Sequence, residues 1–181
     1  MSLAATLDAV TTFVAENPEA AQVVPRADGE LVGPLEVRVA VADHQVTVDE
    51  PEAIGGANAA PSPVETALVS LASCQAITYR LWAIKLGVDI DRVSVAVEAD
   101  YDARGLLGVD GYDRPGFTAV RVIVTVEGAE GEPLEQLRSA VDEHCPVLDL
   151  SGRTWRWPPP WRRRALHDWG DLRGARGNDG P

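Results

Sequence analysis

Apolar residues recur at Leu3, Leu7, Val10 and Val14, the spacing of one helical face, and Pro18 stops the run near Asn17. The spacing predicts a short amphipathic helix within residues 1–18, packed on the surface of the main fold. From Pro34 the period drops to two. "PLEVRVAV" alternates Leu35, Val37, Val39 and Val41 with Glu36, Arg38 and Ala40, and "HQVTVDEP" continues the alternation with Val46 and Val48. The short "ADH" joint between them makes a hairpin of the pair.

A loop rich in Gly, Ala and Pro, "EAIGGANAAPSP", leads into the most strongly marked helix of the chain. Ser62 is placed as N-cap, Pro63 at the first helical position and Glu65 at the third, where its carboxylate closes a capping box. Helical apolar spacing runs on through Leu68, Leu71 and Ala72, and Gly87 supplies a stop after "LWAIKLG". A helix of roughly 24 residues spans about 36 Å at the usual rise per residue, long for a chain of this size. Its first half, "ALVSLASCQA", is small or apolar on most faces, with Gln75 the one long polar side chain, so other elements should surround it and approach closely.

"DRVSVAVEADY" and "TAVRVIVTVEG" each carry alternating valines and read as paired strands. The intervening "DARGLLGVDGYDRPGF" is too long for a tight hairpin and makes an excursion over the surface. A second helix runs from Pro133 to about His144 with Leu134, Leu137 and Val141 on one face, and Pro146 ends it by disfavouring helical geometry at Cys145. Helix, hairpin, long helix, two strands and helix give an α+β fold with an antiparallel sheet.

Composition narrows this picture. With 181 residues and 45% apolar content, the chain can bury one core and is short for two. The domain organisation expected is an N-terminal helix over residues 1–18, a main domain over 19–150 and a separate tail over 151–181. The net charge of -12 is uneven: the first 150 residues hold 9 Lys and Arg against 25 Asp and Glu, and the last 31 hold 7 Arg against 3 Asp. The acidic body repels nucleic acid and anionic membranes. No run approaches the 18 or so consecutive apolar residues of a membrane span. The tail, "RTWRWPPPWRRR" onward, holds four of the five tryptophans and is expected to be disordered; its interleaved Arg and Trp leave nucleic-acid or membrane contact as the alternative.

Two cysteines and no opening that resembles a secretion signal argue against a disulfide scaffold and for the reducing cytoplasm. Cys74 shares the apolar face of the long helix with Leu71 and Ala67, where a free cysteine can serve simply as a small hydrophobe. Cys145 ends the second helix, where the negative dipole end keeps a thiol protonated and makes it a poor nucleophile but still a possible resolving partner. The two lie 71 positions apart, and their spacing leaves open whether they meet. Two cysteines and three scattered histidines do not make a structural zinc site, and neither a metal nor another cofactor is expected. His144 is placed to cap last-turn carbonyls; His44, in the hairpin turn, and His167 carry no signal.

Three stretches taken together resemble one family. "DEPEAIGGANAAPSPVETALVSLASC" is similar to the run before the first cysteine in proteins of the osmotically inducible protein C (OsmC) and organic hydroperoxide resistance (Ohr) superfamily. "DARGLLGVDGYDRPGFTAVRV" looks like the loop and following strand of one OsmC-like branch, and "VDEHCPVLDL" like the motif around the second cysteine. The resemblance covers roughly residues 34–150. It implies an OsmC-like fold, an antiparallel sheet wrapped on a long central helix, in an intertwined homodimer with active sites at the interface.

The activity implied is thiol-dependent reduction of organic hydroperoxides or hydrogen peroxide. Cys74 would attack the peroxide and become a sulfenic acid; Cys145 would close a Cys74–Cys145 disulfide, later opened by an external dithiol. A cysteine in mid-helix receives no help from the dipole, so a cation has to favour its thiolate. In the Ohr branch this is an arginine held by a glutamate directly after a proline; here Val64 follows Pro63 and Glu65 comes one residue late, turned by about 100° on the helix. Glu65 is therefore read as the capping residue, and Arg26 and Arg38 are the candidate cations. The absent glutamate and the wide apolar helix face keep a second reading open, a noncatalytic dimer that binds a hydrophobic small molecule. The family's chain ends differently from "SGRTWRWPPPWRRR", and a shifted reading frame is one origin for that tail.

Overall fold

The computed structural model describes residues 2–112 and 114–152. The Arg- and Trp-rich sequence from residue 153 onward, with the expectation of disorder attached to it, lies outside the described residues. The elements in order are α1 (Leu3–Glu16), β1 (Ala27–Leu31), β2 (Val37–Val41), β3 (His44–Val48), α2 (Pro63–Leu86), β4 (Arg92–Asp100), the short α3 (Ala103–Leu106), β5 (Ala119–Glu127), α4 (Gly131–His144) and α5 (Pro146–Gly152). Single 3-10 turns occupy Pro18–Ala21 and Glu52–Ile54.

α2 begins as its sequence requires. Ser62 Oγ accepts the Glu65 N–H at 3.2 Å, and Glu65 Oε2 accepts the Ser62 N–H and hydroxyl at 2.8 and 2.9 Å. Gly87 closes the helix in the left-handed region at φ 66°, where a side chain would be strained. Beyond it, Arg80 Nη1 donates to the Ile90 carbonyl at 3.2 Å and ties the end of α2 to the start of β4.

Strands β4 and β5 pair antiparallel over nine residues, from Arg92 opposite Glu127 to Asp100 opposite Ala119. The valines of the alternating pattern face α2 and the charged residues face outward. Glu98, Asp100 and Arg121 pair across that outer face. Between α2, the strands and α4 lies the core, built on Tyr79, Ala83, Ile90, Ala129, Leu137 and Val141.

The first sheet, β1-β2-β3, is also antiparallel, but it reaches out from this core. Leu31, Val41 and Val46 on it are exposed, as are Val69 and Ile77 on α2. α1 likewise buries none of its residues and touches α2 only at its edge, so its apolar stripe stays largely open, whereas its spacing predicted a packed surface helix. By length and composition α2 could also cross a membrane, although no consecutive apolar run announced it. Its buried positions, however, include Gln75, Thr78 and Tyr79, and it packs against β4, α4 and α5, the environment of a core helix.

Three other features differ from the periodicity reading. β1, "ADGEL", has no alternation of its own and is held by the backbone ladder along the edge of β2, with Gly29 opposite Val39. The hairpin turns at Ala42 and Asp43, so His44 opens β3 instead of sitting in the turn. α5 follows directly on Cys145 and runs through residue 150, so the boundary expected there falls inside a helix.

The loop before α2 is organised by a residue that periodicity passes over. Asp49, 1% exposed, accepts the backbone N–H groups of Glu50, Ala57 and Ala59 at 2.8, 3.0 and 3.1 Å. Hydrogen bonds from Ala59, then Glu50 and Ala57, hold its carboxyl below the ordinary carboxylate range against the opposing effect of burial. The wrapped loop presses Gly56 against Glu50, where a Cβ would stand 1.8 Å from the carbonyl oxygen, so only glycine fits.

Candidate active site

The packing that builds the core brings the two cysteines together. Cys74 lies in the second turn-pair of α2, on the side that meets α5, and Cys145 lies at the joint between α4 and α5. Pro146 forces Cys145 into extended geometry, φ -81° and ψ 108°, and then serves as the first residue of α5. The Cys145 N–H still donates to Val141 O at 2.9 Å, and its carbonyl accepts the Asp149 N–H at 3.0 Å, so the residue closes one helix and opens the next. The resulting elbow turns the Cys145 thiol toward α2, where it donates to Cys74 Sγ at 3.4 Å.

The two thiols are unequal in access. Cys145 is 1% exposed, whereas Cys74 is only partly buried. Burial raises the Cys74 thiol above its ordinary value, and Cys145 adds to the rise. The Val147 backbone N–H, in the first turn of α5, hydrogen-bonds the Cys74 sulfur and pulls the other way, as does the Thr78 hydroxyl. Thr78 Oγ1 also donates to the Cys74 carbonyl at 2.8 Å, which fixes its position one turn further along α2.

The candidate cations stand elsewhere in the single chain. Arg26 pairs with Asp28 at 2.6 Å and Arg38 with Glu36 at 3.2 Å, both at the first sheet, and neither is among the groups that shift Cys74. Glu65 is committed to Ser62, whose hydrogen bonds hold its carboxyl below the ordinary range. His144, expected to cap carbonyls, lies flat on the Trp82 indole with ring centres 4.2 Å apart and 14° between planes. Lys85 Nζ sits 5.0 Å from the Trp82 ring centre.

The OsmC-like protein family model matches residues 55–154, a span holding both cysteines, the elbow at Pro146 and the core strands. The chain belongs to the OsmC-like family. The fold agrees: an OsmC-like protein from Mycoplasma pneumoniae matches with a TM-score of 0.61 at 17% identity, over 72% of this chain and 89% of that one. An organic hydroperoxide resistance protein OsmC from Legionella pneumophila matches at 0.55 and 20% identity, over 71% and 88%. An organic hydroperoxide resistance protein from Elizabethkingia anophelis matches at 0.56 and 16%, over 72% and 89%. No curated protein sequence matches the chain significantly.

Two contributors to this OsmC-like site escaped sequence reasoning. Val147 acts through its backbone, which no side-chain pattern reports, although Pro146 at a first helical position was a usable signal for α5. Thr78 stands four residues after Cys74, one turn along the same stripe of α2, and that spacing could have singled it out.

Proposed function

We propose that this OsmC-like chain is a cytoplasmic thiol peroxidase acting on organic hydroperoxides or hydrogen peroxide. The observation that carries the proposal is the sulfur pair: residues 71 positions apart, 3.4 Å between sulfurs, one reachable and the other enclosed. The reachable thiolate attacks the distal oxygen of the peroxide, the O–O bond breaks, and the alkoxide leaves and is protonated to the alcohol. Cys74 is left as the sulfenic acid. Cys145 then attacks that sulfur, its proton leaves with the hydroxyl as water, and the Cys74–Cys145 disulfide forms. An external dithiol reduces the disulfide to two thiols and is itself oxidised to a disulfide.

Thiolate formation needs a positive group, and among the described residues of one chain no cation is one of the groups that shift Cys74. The proposed oligomer, a homodimer whose copies cover each other's open apolar surfaces, would supply it, with Arg26 and Arg38 as the candidates. Cumene hydroperoxide consumption with dithiothreitol as reductant tests the reading. Cys74→Ser is expected to abolish turnover, and Cys145→Ser to stop recycling through the disulfide and leave a sulfenic acid that dimedone traps. Wild-type turnover in Cys74→Ser would overturn it.

A further inference from the structure

Beside the cysteine pair, and not including it, lies a cavity of about 340 Å³ between α2, β5, α4 and α5. That is within the size range of small-molecule sites. Its two sides differ in chemistry. α2 and α4 contribute Gln75, Tyr79, Arg138 and Asp142; β5 and α5 contribute Val122, Val124 and Leu148.

Gln75 is 2% exposed, and its Nε2 has no hydrogen-bond partner among the described residues. A buried amide donor left unmade is costly, and such a group in the wall of a cavity calls for an acceptor from beyond the described residues. The other polar groups are already engaged with one another: the Arg138 side chain hydrogen-bonds the buried Tyr79 phenol, Asp142 acts on the same phenol, and Arg138 Nη1 also pairs with Glu135 at 3.0 Å. The Arg138 guanidinium is already paired with Glu135, and Asp142 adds a second carboxylate beside the phenol, so the wall favours no anion. The Asp142 carboxylate can accept from a ligand donor, but a full cation would have Arg138 beside it.

We infer that the cavity is a binding site for a small uncharged aliphatic molecule whose polar end both accepts and donates hydrogen bonds, the chemistry of a primary carboxamide. The carbonyl oxygen takes the Gln75 Nε2–H, the amide N–H groups face Asp142, and the aliphatic chain lies along Val122, Val124 and Leu148. The site stands apart from the peroxide reading, because neither cysteine lines it.

Hexanamide titrated into the full chain by isothermal calorimetry tests this, with hexanoate and hexylammonium as charged isosteres. Hexanamide is expected to bind saturably and at least tenfold more tightly than either. Gln75→Leu, which fills the space and removes the donor, should weaken it at least tenfold, while Cys74→Ser should leave it unchanged even if peroxide turnover is lost. Circular dichroism checks that Gln75→Leu is folded; if it is not, the exposed Asp142→Asn serves, and should narrow the preference for hexanamide over hexanoate several-fold. Absence of saturable hexanamide binding, equal binding of the isosteres, or unchanged selectivity in the folded variants would overturn the inference.

Discussion

Burial raises the Cys74 thiol, while the Val147 N–H and the Thr78 hydroxyl favour the thiolate. Thr78→Val keeps the shape of the side chain and removes the hydroxyl. We expect the midpoint of Cys74 alkylation by iodoacetamide to move to higher pH and the rate at neutral pH to fall several-fold, with little change in the far-ultraviolet circular dichroism. The same variant should slow peroxide consumption in proportion, because both reactions draw on the thiolate. An unchanged pH profile would remove Thr78 from the site. Leu137, fully enclosed between α4 and the core, belongs to the scaffold instead. Leu137→Ala should cost about 3 kcal/mol in chemical denaturation, without a specific shift in the alkylation profile.

At the scale of elements, α2 depends on how it starts. Removing the cap with Ser62→Ala should destabilise the fold by about 1 kcal/mol, read from urea unfolding. The same start has a pH signature. The folded Glu65 and Asp49 carboxyls sit below their ordinary values, so the stability they contribute is present above the ordinary carboxylate range and is lost as pH falls through the depressed values. Asp49→Asn should flatten that acid limb and lower the melting temperature by several degrees, since it trades a carboxylate gathering three backbone donors for a weaker acceptor.

The capping box, the stop at Gly87 and the valine alternation of β2 to β5 were legible in the sequence because each rests on residues within a few positions of one another. What was not legible rests on distant or backbone partners. β1 pairs through its main chain although its side chains, Asp28, Gly29 and Glu30, mark a loop. Pro146 reads as the end of α4 while also starting α5. Asp49 finds its donors eight and ten residues onward, in a loop without periodicity. The motifs around Cys74 and Cys145 implied a pairing through resemblance alone, and only the docking of α4 and α5 on α2 sets the separation of the two sulfurs.

For the whole molecule, the open surfaces and the electrostatics of Cys74 lead to one expectation. Val69 and Ile77 are 58% and 60% exposed on α2, and Leu31, Val41 and Val46 stay exposed on a sheet with little to pack against. Apolar surface of this extent is stabilised by being covered, and a second copy of the chain is the partner proposed. The thiolate would then depend on association, since no described residue of the single chain supplies a cation among the groups that shift Cys74. On dilution the Cys74 alkylation midpoint should climb, and peroxide turnover per chain should fall, over the concentration range in which sedimentation velocity shows copies separating. Ile77→Glu places a carboxylate on the exposed side of α2, away from the core, so the chain should remain folded while association is lost. Turnover should drop at least tenfold in that variant. Full turnover in a monomeric Ile77→Glu chain would show that the activating group comes from within one copy.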